Sequence, residues 1–335
     1  MTEAPSAESA EDRLIAHYFR PLARHPGAFG LSDDAAVLTP PAGMDVVLKT
    51  DGVIAGVHFF PDDPADSVAR KVLRMNLSDL AAKGAEPAGF LLSIALPQGI
   101  TGAWIASFAQ GLGADADAYG CPLMGGDTDH TPGPITVSIA AFGFVPHGAM
   151  VRRSGAKPGD RVFLTGTVGD AGLGLRLRRE PAAAARWSLD PAGRDHLLSR
   201  YLLPQPRNAL ALALRAHASA AMDVSDGLAG DLGKLCRVSG VSADIEVAKL
   251  PLSAAAQAAL AAEPALIETI LSGGDDYEIL AAIPAERSNA FRQAAAAAGV
   301  PVTDIGAITA GEGAPRFIGA DGNAITLARL SFSHF

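Results

Sequence analysis

Six aspartates recur along this chain in one kind of place, a glycine- or serine-containing turn or the end of an apolar run: Asp34, Asp51, Asp79, Asp127, Asp223 and Asp226. The stretches 45–50, 89–96, 135–145, 161–165, 243–247 and 279–283 are strand-like, and helix-like stretches fall at 66–84, 104–119, 202–219 and 290–298. Strands interleaved with helices place the chain in the α/β (α+β) class. The segment 30–38 reads as a turn with adjacent acids, Asp33 and Asp34, feeding an apolar strand, and 123–128 as a strand running into a glycine turn. The helix begun near Asp66 closes on Asn76, Ser78 and Asp79 beside the small Ala81 and Ala82, and Gly84 and Pro87 stop it.

Length then sets the number of cores. A chain of 335 residues exceeds one ordinary core, so two domains are expected. The Gly- and Pro-containing basic stretch 151–160 marks the boundary. This divides the chain into an acidic disordered tail at 1–12, an N-terminal domain at 13–150, and a C-terminal α/β domain at 151–335.

With 49% hydrophobic and 19% charged residues the composition is that of a globular protein, and a net charge of −9 argues against coating a nucleic acid. No stretch approaches the roughly 18 apolar residues of a membrane span. Cys121 and Cys236 are far apart and form no Cys-x-x-Cys pair, which fits a reduced, cytoplasmic setting.

Turn chemistry explains an isolated aspartate, and Ser225 or Asp226 suits a helix N-cap. Capping does not account for Asp223 as well. If these acids gather, repulsion between two charges about 4 Å apart reaches about 4 kcal/mol at an effective dielectric of 20, so a cation must join them. Oxygen-only donors select a hard ion, and Mg²⁺ arrives through carboxylates together with substrate phosphates. The residues thus leave two readings open: solvated turn aspartates, or an Mg²⁺–nucleotide site. The loop 166–174 lacks the Gly-Lys-Ser/Thr ending of a P-loop and reads as a helix start.

Several motifs occur together and in order. They are Asp33-Asp34-Ala35-Ala36, Thr50-Asp51 with Gly56-Val57-His58-Phe59, 76–84, Gly125-Gly126-Asp127-Thr128, 153–160, Asp223-Val224-Ser225-Asp226-Gly227-Leu228, Gly273-Gly274-Asp275-Asp276-Tyr277-Glu278, and the terminal His334-Phe335. In this order they resemble the bacterial thiamine-monophosphate kinases, of the aminoimidazole-ribonucleotide-synthetase-like superfamily. The likeness runs from about Leu14 to Phe335.

The resemblance implies a two-domain fold whose N-terminal mixed sheet pairs across a homodimer, with ATP as co-substrate and several Mg²⁺ ions. It carries metal contacts to Asp34, Thr50, Asp51, Asp79, Asp127, Asp223 and Asp226, and ATP contacts to Gly126, Asp127, Arg153 and Ser225. His58, Asp275 and Arg329 fall on its thiamine-phosphate side. No covalent residue is implied, and Arg153 stands as a phosphate clamp. Three positions depart from the family: Ser32 replaces a glycine, Asp275 a glutamate, and Arg329 an aromatic residue. The expected reaction is in-line transfer of the ATP γ-phosphate to thiamine monophosphate. Its rivals are another ATP-dependent enzyme of the superfamily and a non-catalytic Mg²⁺–nucleotide sensor.

Overall fold

A computed structural model describes residues 9–331. The chain divides into two compact units, residues 1–77 with 87–144 and residues 78–86 with 145–335. The segment 78–86 thus groups with the second unit, although it lies far upstream of the boundary read at 151–160. The terminal His334 and Phe335 lie outside the described residues.

In the first unit Ser9 caps a short helix, α1 (Ala10–Leu14): its hydroxyl accepts the Asp12 N–H and Asp12 returns the bond. Regular structure therefore starts before position 13, inside the stretch read from sequence as a tail. Two long helices follow, α2 (Ala65–Ala82), of which 65–77 belong to this unit, and α3 (Gly102–Ala118). The strands β1 (Met44–Ile54), β2 (Glu86–Pro97), β3 (Leu123–Thr131) and β4 (Thr136–Pro146) form a sheet in the order β1-β4-β2-β3. Val68, Val72 and Leu73 of α2 and Phe108 and Leu112 of α3 are buried at helical spacing. Between the helices Arg74 forms a buried ion pair with Asp115, donating at 2.5 and 3.0 Å.

Two expectations in this unit change. No strand forms at 35–38; that segment is an irregular loop closed by the Val37 N–H donating to Gly27 at 2.8 Å. The strand expected to end at Met124 continues through Gly125 and Gly126 to Thr131, parallel to β2, after a bulge at Phe90/Leu91. Glycine is required there, because a Cβ on Gly126 would lie 1.7 Å from the Leu92 carbonyl oxygen.

The second unit is built on a six-stranded sheet, β5 (Arg161–Thr165), β6 (Ala220–Val224), β7 (Ser242–Glu246), β8 (Glu278–Ile283), β9 (Val302–Thr309) and β10 (Arg316–Ile318), ordered β10-β7-β9-β5-β8-β6. Only the β10–β7 pairing is parallel; the other four are antiparallel. The helices are α4 (Asp170–Arg179), α5 (Ala183–Arg186), α6 (Pro191–Leu202), α7 (Ala211–His217), α8 (Leu228–Ser239), α9 (Ala254–Ala262), α10 (Leu266–Ser272) and α11 (Ser288–Ala297).

Period-two alternation splits this unit's core between the sheet's two faces. Val162, Leu164, Met222, Val224, Leu280 and Ala282 pack with Leu173, Leu197, Leu232 and Leu266 of the helices on one face. Phe163, Ala221, Ile279 and Ala281 pack on the other with Leu214, Phe291 and the Ala81–Ala82 end of α2. The long helix expected over 202–219 is interrupted, because α6 ends at Leu202 and helix resumes only at Asn208. Pro204 and Pro206 lie in the gap and carry no N–H for a helical ladder.

Candidate functional site

Within the first unit Asp33, Asp34, Thr50, Gly125, Gly126 and Asp127 line a single cavity of about 930 Å³. The loop carrying Asp34 is set by three successive residues in left-handed backbone, Phe29, Gly30 and Leu31, at φ of 48°, 59° and 55°. Ser32 follows at φ −108°, a conformation that needs no glycine, and its hydroxyl donates to the Phe29 carbonyl at 2.6 Å. The first departure from the family pattern is thereby accommodated without strain. Thr50 donates its hydroxyl to the Ile139 carbonyl at 3.0 Å, which leaves oxygen lone pairs for a cation. Asp34 and Asp127 are exposed around the same cavity. These oxygen donors fit a hard divalent ion.

Asp51 and His58 are not among the residues lining that cavity. Asp51 pairs with Lys49 at 3.0 Å. His58 is held by the backbone: Nδ1 accepts the Ile54 N–H at 3.1 Å, so its proton is assigned to Nε2. Lys71 donates to the His58 carbonyl at 3.2 Å.

In the second unit two motifs 50 residues apart are laced together by their backbones. The Asp275 N–H donates to the Ser225 carbonyl and the Tyr277 N–H to the Val224 carbonyl, both at 2.8 Å. Asp223, Ser225, Asp226 and Asp275 therefore share the neighbourhood where β6 ends and β8 begins. The last turn of α2 joins it, since Ser78 donates to the Tyr277 carbonyl at 3.4 Å and Lys83 to the Ala221 carbonyl at 2.8 Å, flanking Asp79. Gly227 permits the closeness: it sits at φ 109°, and a Cβ there would meet the Ser272 carbonyl carbon at 2.6 Å. Asp275 and Tyr277 hold left-handed backbone without being glycine, at φ of 72° and 51°. Such strain persists only where the surroundings over-determine the loop.

Those surroundings are buried ionisable side chains to which the sequence reading gave no site role. Asp276 is fully buried and accepts the Gly169 N–H at 2.7 Å and the Ala171 N–H at 3.1 Å. It thereby takes up the free donors at the start of α4, the helix behind the glycine loop 166–174. A protein carboxylate stands where a phosphate-binding loop would place its ligand, so the helix-start reading of that loop holds. Burial pushes the Asp276 carboxyl up to about 8, against the pull of the Gly169 amide, Arg200 and the Ala171 amide.

Glu278, fully buried, accepts from Thr165 at 2.6 Å, from Arg200 at 2.9 Å and from both Nε and Nη2 of Arg207 at 2.7 and 2.5 Å. Arg200 also donates to the Asp276 carbonyl at 3.1 Å. Only the position of these acids beside Asp275 in one motif hinted at them; their arginines come from α6 and the loop after it.

The Ser225–Asp226 turn has its own support. Asp231, fully buried on α8, accepts the Ser225 and Asp226 N–H groups at 2.9 and 2.8 Å. Lys234 donates to Asp231 at 2.7 Å and also forms an ion pair with Asp226. Burial lifts the Asp231 carboxyl above its usual range, with Lys234 offsetting part of the rise. Burial pulls the Lys234 ammonium down, but its bonds to Asp226 and Asp231 outweigh this and hold it above the ordinary lysine value. Asp226 is thus already matched with a cation, which its position in the motif did not reveal.

The remaining positions read from sequence are exposed. Arg153 follows Arg152, whose carbonyl accepts the Ala221 N–H at 2.9 Å, so the hinge is tied to β6. Arg329 is anchored by its backbone, with its N–H donating to Glu268 at 3.2 Å. Among the described residues, no group of three or more His, Cys, Asp and Glu side chains is arranged to hold a metal ion. The seven positions read from sequence as metal contacts fall into two sets, Asp34, Thr50, Asp51 and Asp127 in the first unit and Asp79, Asp223 and Asp226 in the second.

Comparison with known proteins identifies this architecture. Residues 32–145 match the N-terminal domain of AIR synthase related proteins, and residues 157–317 match the C-terminal domain. Across 333 residues the chain is 44% identical to the thiamine-monophosphate kinase of Caulobacter vibrioides, covering 98% of this chain and 92% of that one. The crystal structure of thiamine-monophosphate kinase from Stenotrophomonas maltophilia superposes with a TM-score of 0.80 at 38% identity, covering 95% of this chain and 98% of that one. A structure of AaThiL complexed with AMPPCP and TMP superposes at 0.75 with 31% identity, covering 92% and 97%. The chain belongs to the thiamine-monophosphate kinase family.

Proposed function

We propose that this protein transfers the γ-phosphate of ATP to thiamine monophosphate, giving ADP and thiamine diphosphate, with Mg²⁺ as the metal. Likeness to thiamine-monophosphate kinases over nearly the full length of both chains carries the reading. The grouping of Asp34, Thr50, Gly126 and Asp127 around one cavity supports it from the geometry. In this reading Asp34, Thr50, Asp51, Asp79, Asp127, Asp223 and Asp226 are the candidate metal ligands, Gly126, Asp127, Arg153 and Ser225 contact ATP, and His58, Asp275 and Arg329 face thiamine monophosphate.

The chemistry asks little of a proton acceptor. A phosphate oxygen with a second pKa near 6 is already ionised at neutral pH and attacks without a general base. Bound Mg²⁺ supplies charge neutralisation between the donor and acceptor phosphates. The chain's own residues do the rest: Gly126 lets backbone come close, Arg153 clamps a phosphate oxygen, and the strained 275–277 loop fixes Asp275 in place.

The protein works as a homodimer through the first unit's sheet. There β1 is an edge strand whose alternate residues Met44, Val46 and Leu48 are exposed, an apolar row suited to being covered. A cytoplasmic setting fits Cys121 and Cys236, both free and buried, their thiols pushed by burial up to about 12 and about 11.

A coupled ADP-release assay with thiamine, thiamine monophosphate and aminoimidazole ribonucleotide precursors tests the assignment. ADP should form only with thiamine monophosphate and Mg²⁺. ADP formed with an aminoimidazole precursor, or none with thiamine monophosphate, would overturn it.

A further inference from the structure

Lys234 lies three residues beyond Asp231 on α8 and reaches back over the start of that helix. Its ammonium is shared by the carboxylates of Asp226 and Asp231. The other oxygen of Asp231 accepts the backbone N–H groups of Ser225 and Asp226. Two acids and one lysine thus fasten the turn that carries Ser225, and the Ser225 carbonyl in turn receives the Asp275 N–H.

We propose that Lys234 is the resident cation of this turn: it stands where a divalent ion would bridge Asp226 and Asp231. In this chain Asp226 therefore positions the Ser225 turn through Lys234 and does not ligate Mg²⁺. The inference rests on the kinase reading and sharpens it, since it removes one carboxylate from the metal set that the family pattern implies.

Burial keeps the lysine in place. The Asp231 side chain is fully buried, and the oxygen that does not bond the backbone pairs with Lys234. Swinging the lysine away to admit a metal ion at Asp226 would strand that buried charge, a strongly unfavourable change. A dication at Asp226 with the lysine still present would face a like charge at contact distance. The Lys49–Asp51 pair differs in this respect. There the lysine pairs with an acid that is itself part-exposed, so water can replace either partner, whereas Lys234 also pairs with the fully buried Asp231. Asp51 therefore stays in the metal set.

The test counts ions on the full-length protein. Mn²⁺, as the probe in place of Mg²⁺, is titrated with AMPPCP present, and free Mn²⁺ is read by electron paramagnetic resonance. Asp226→Asn should bind as many ions per chain as the wild type, Lys234→Gln should gain one, and Lys234→Arg should restore the wild-type count. An ion lost in Asp226→Asn overturns the proposal, and so does an unchanged count in a folded Lys234→Gln protein. Should Lys234→Gln fail to fold, the Asp226→Asn count decides alone. Failure of the kinase reading would show separately, as no ADP released by the wild type with thiamine monophosphate.

Discussion

In the first unit Asp34 and Asp127 stand exposed around a cavity, whereas in the second Asp231, Asp276 and Glu278 are buried and each is fully engaged by protein. Asp276 takes two backbone N–H groups, Glu278 takes two arginines and a threonine, and Asp231 takes two N–H groups and a lysine. The same residue type thus does two jobs. In the function proposed above, exposed carboxylates keep their lone pairs for a cation that comes with the substrate. Buried ones spend theirs on shaping the backbone that presents Ser225 and Asp275. A carboxylate's value to the reaction therefore depends on what already satisfies it.

The contrast can be broken by substitution. Glu278→Ala leaves Arg200 and Arg207 without their shared acid, one of them almost wholly buried, and should cost about 3–5 kcal/mol in urea unfolding. A loss below about 1 kcal/mol would mean that the buried network does not hold the unit together. Asp127→Asn should do the reverse. Turnover of thiamine monophosphate should fall by about 100-fold or more, while stability stays within about 0.5 kcal/mol, because an exposed side chain is changed.

The most gradual effect belongs to pH. The folded Asp276 carboxyl, pushed up to about 8, keeps its proton where the unfolded one, near 3.8, has lost it. Across that window the folded state binds more protons, so stability falls as pH rises from about 4 to about 8, by at most about 1.4 kcal/mol per pH unit for one group. The stability of wild type relative to Asp276→Asn should decline over this range in urea titrations. A difference that is flat with pH would show that the Gly169 and Ala171 amides keep Asp276 ionised throughout.

Much of the architecture was legible from residue order. Strands β5 and β8 fall within a residue or so of where apolar runs placed them, because burial on two faces demands continuous apolar sequence. The Asp223–Leu228 turn was legible as a strand-to-helix junction. Where local signals misled, a distant contact decided. Gly125 and Gly126 read as a turn, yet β2 lies alongside and draws them into a strand. The run 35–38 is apolar enough for a strand, but Val37 bonds to Gly27 instead.

The candidate site divides along the same line. Asp34, Thr50 and Asp127 were read from motifs and meet around one cavity, whereas Asp231, Lys234, Arg200 and Arg207 gave no signal of their own. Residue order alone determined the family, the class of fold and which turns carry acids, since these follow from short-range patterns of apolar, glycine and charged residues. Tertiary structure alone decided which acids stay open and which are closed by protein. Arg207 reaches Glu278 across 71 positions of sequence, and only the packing of α6, its following loop and β8 brings the two charges together.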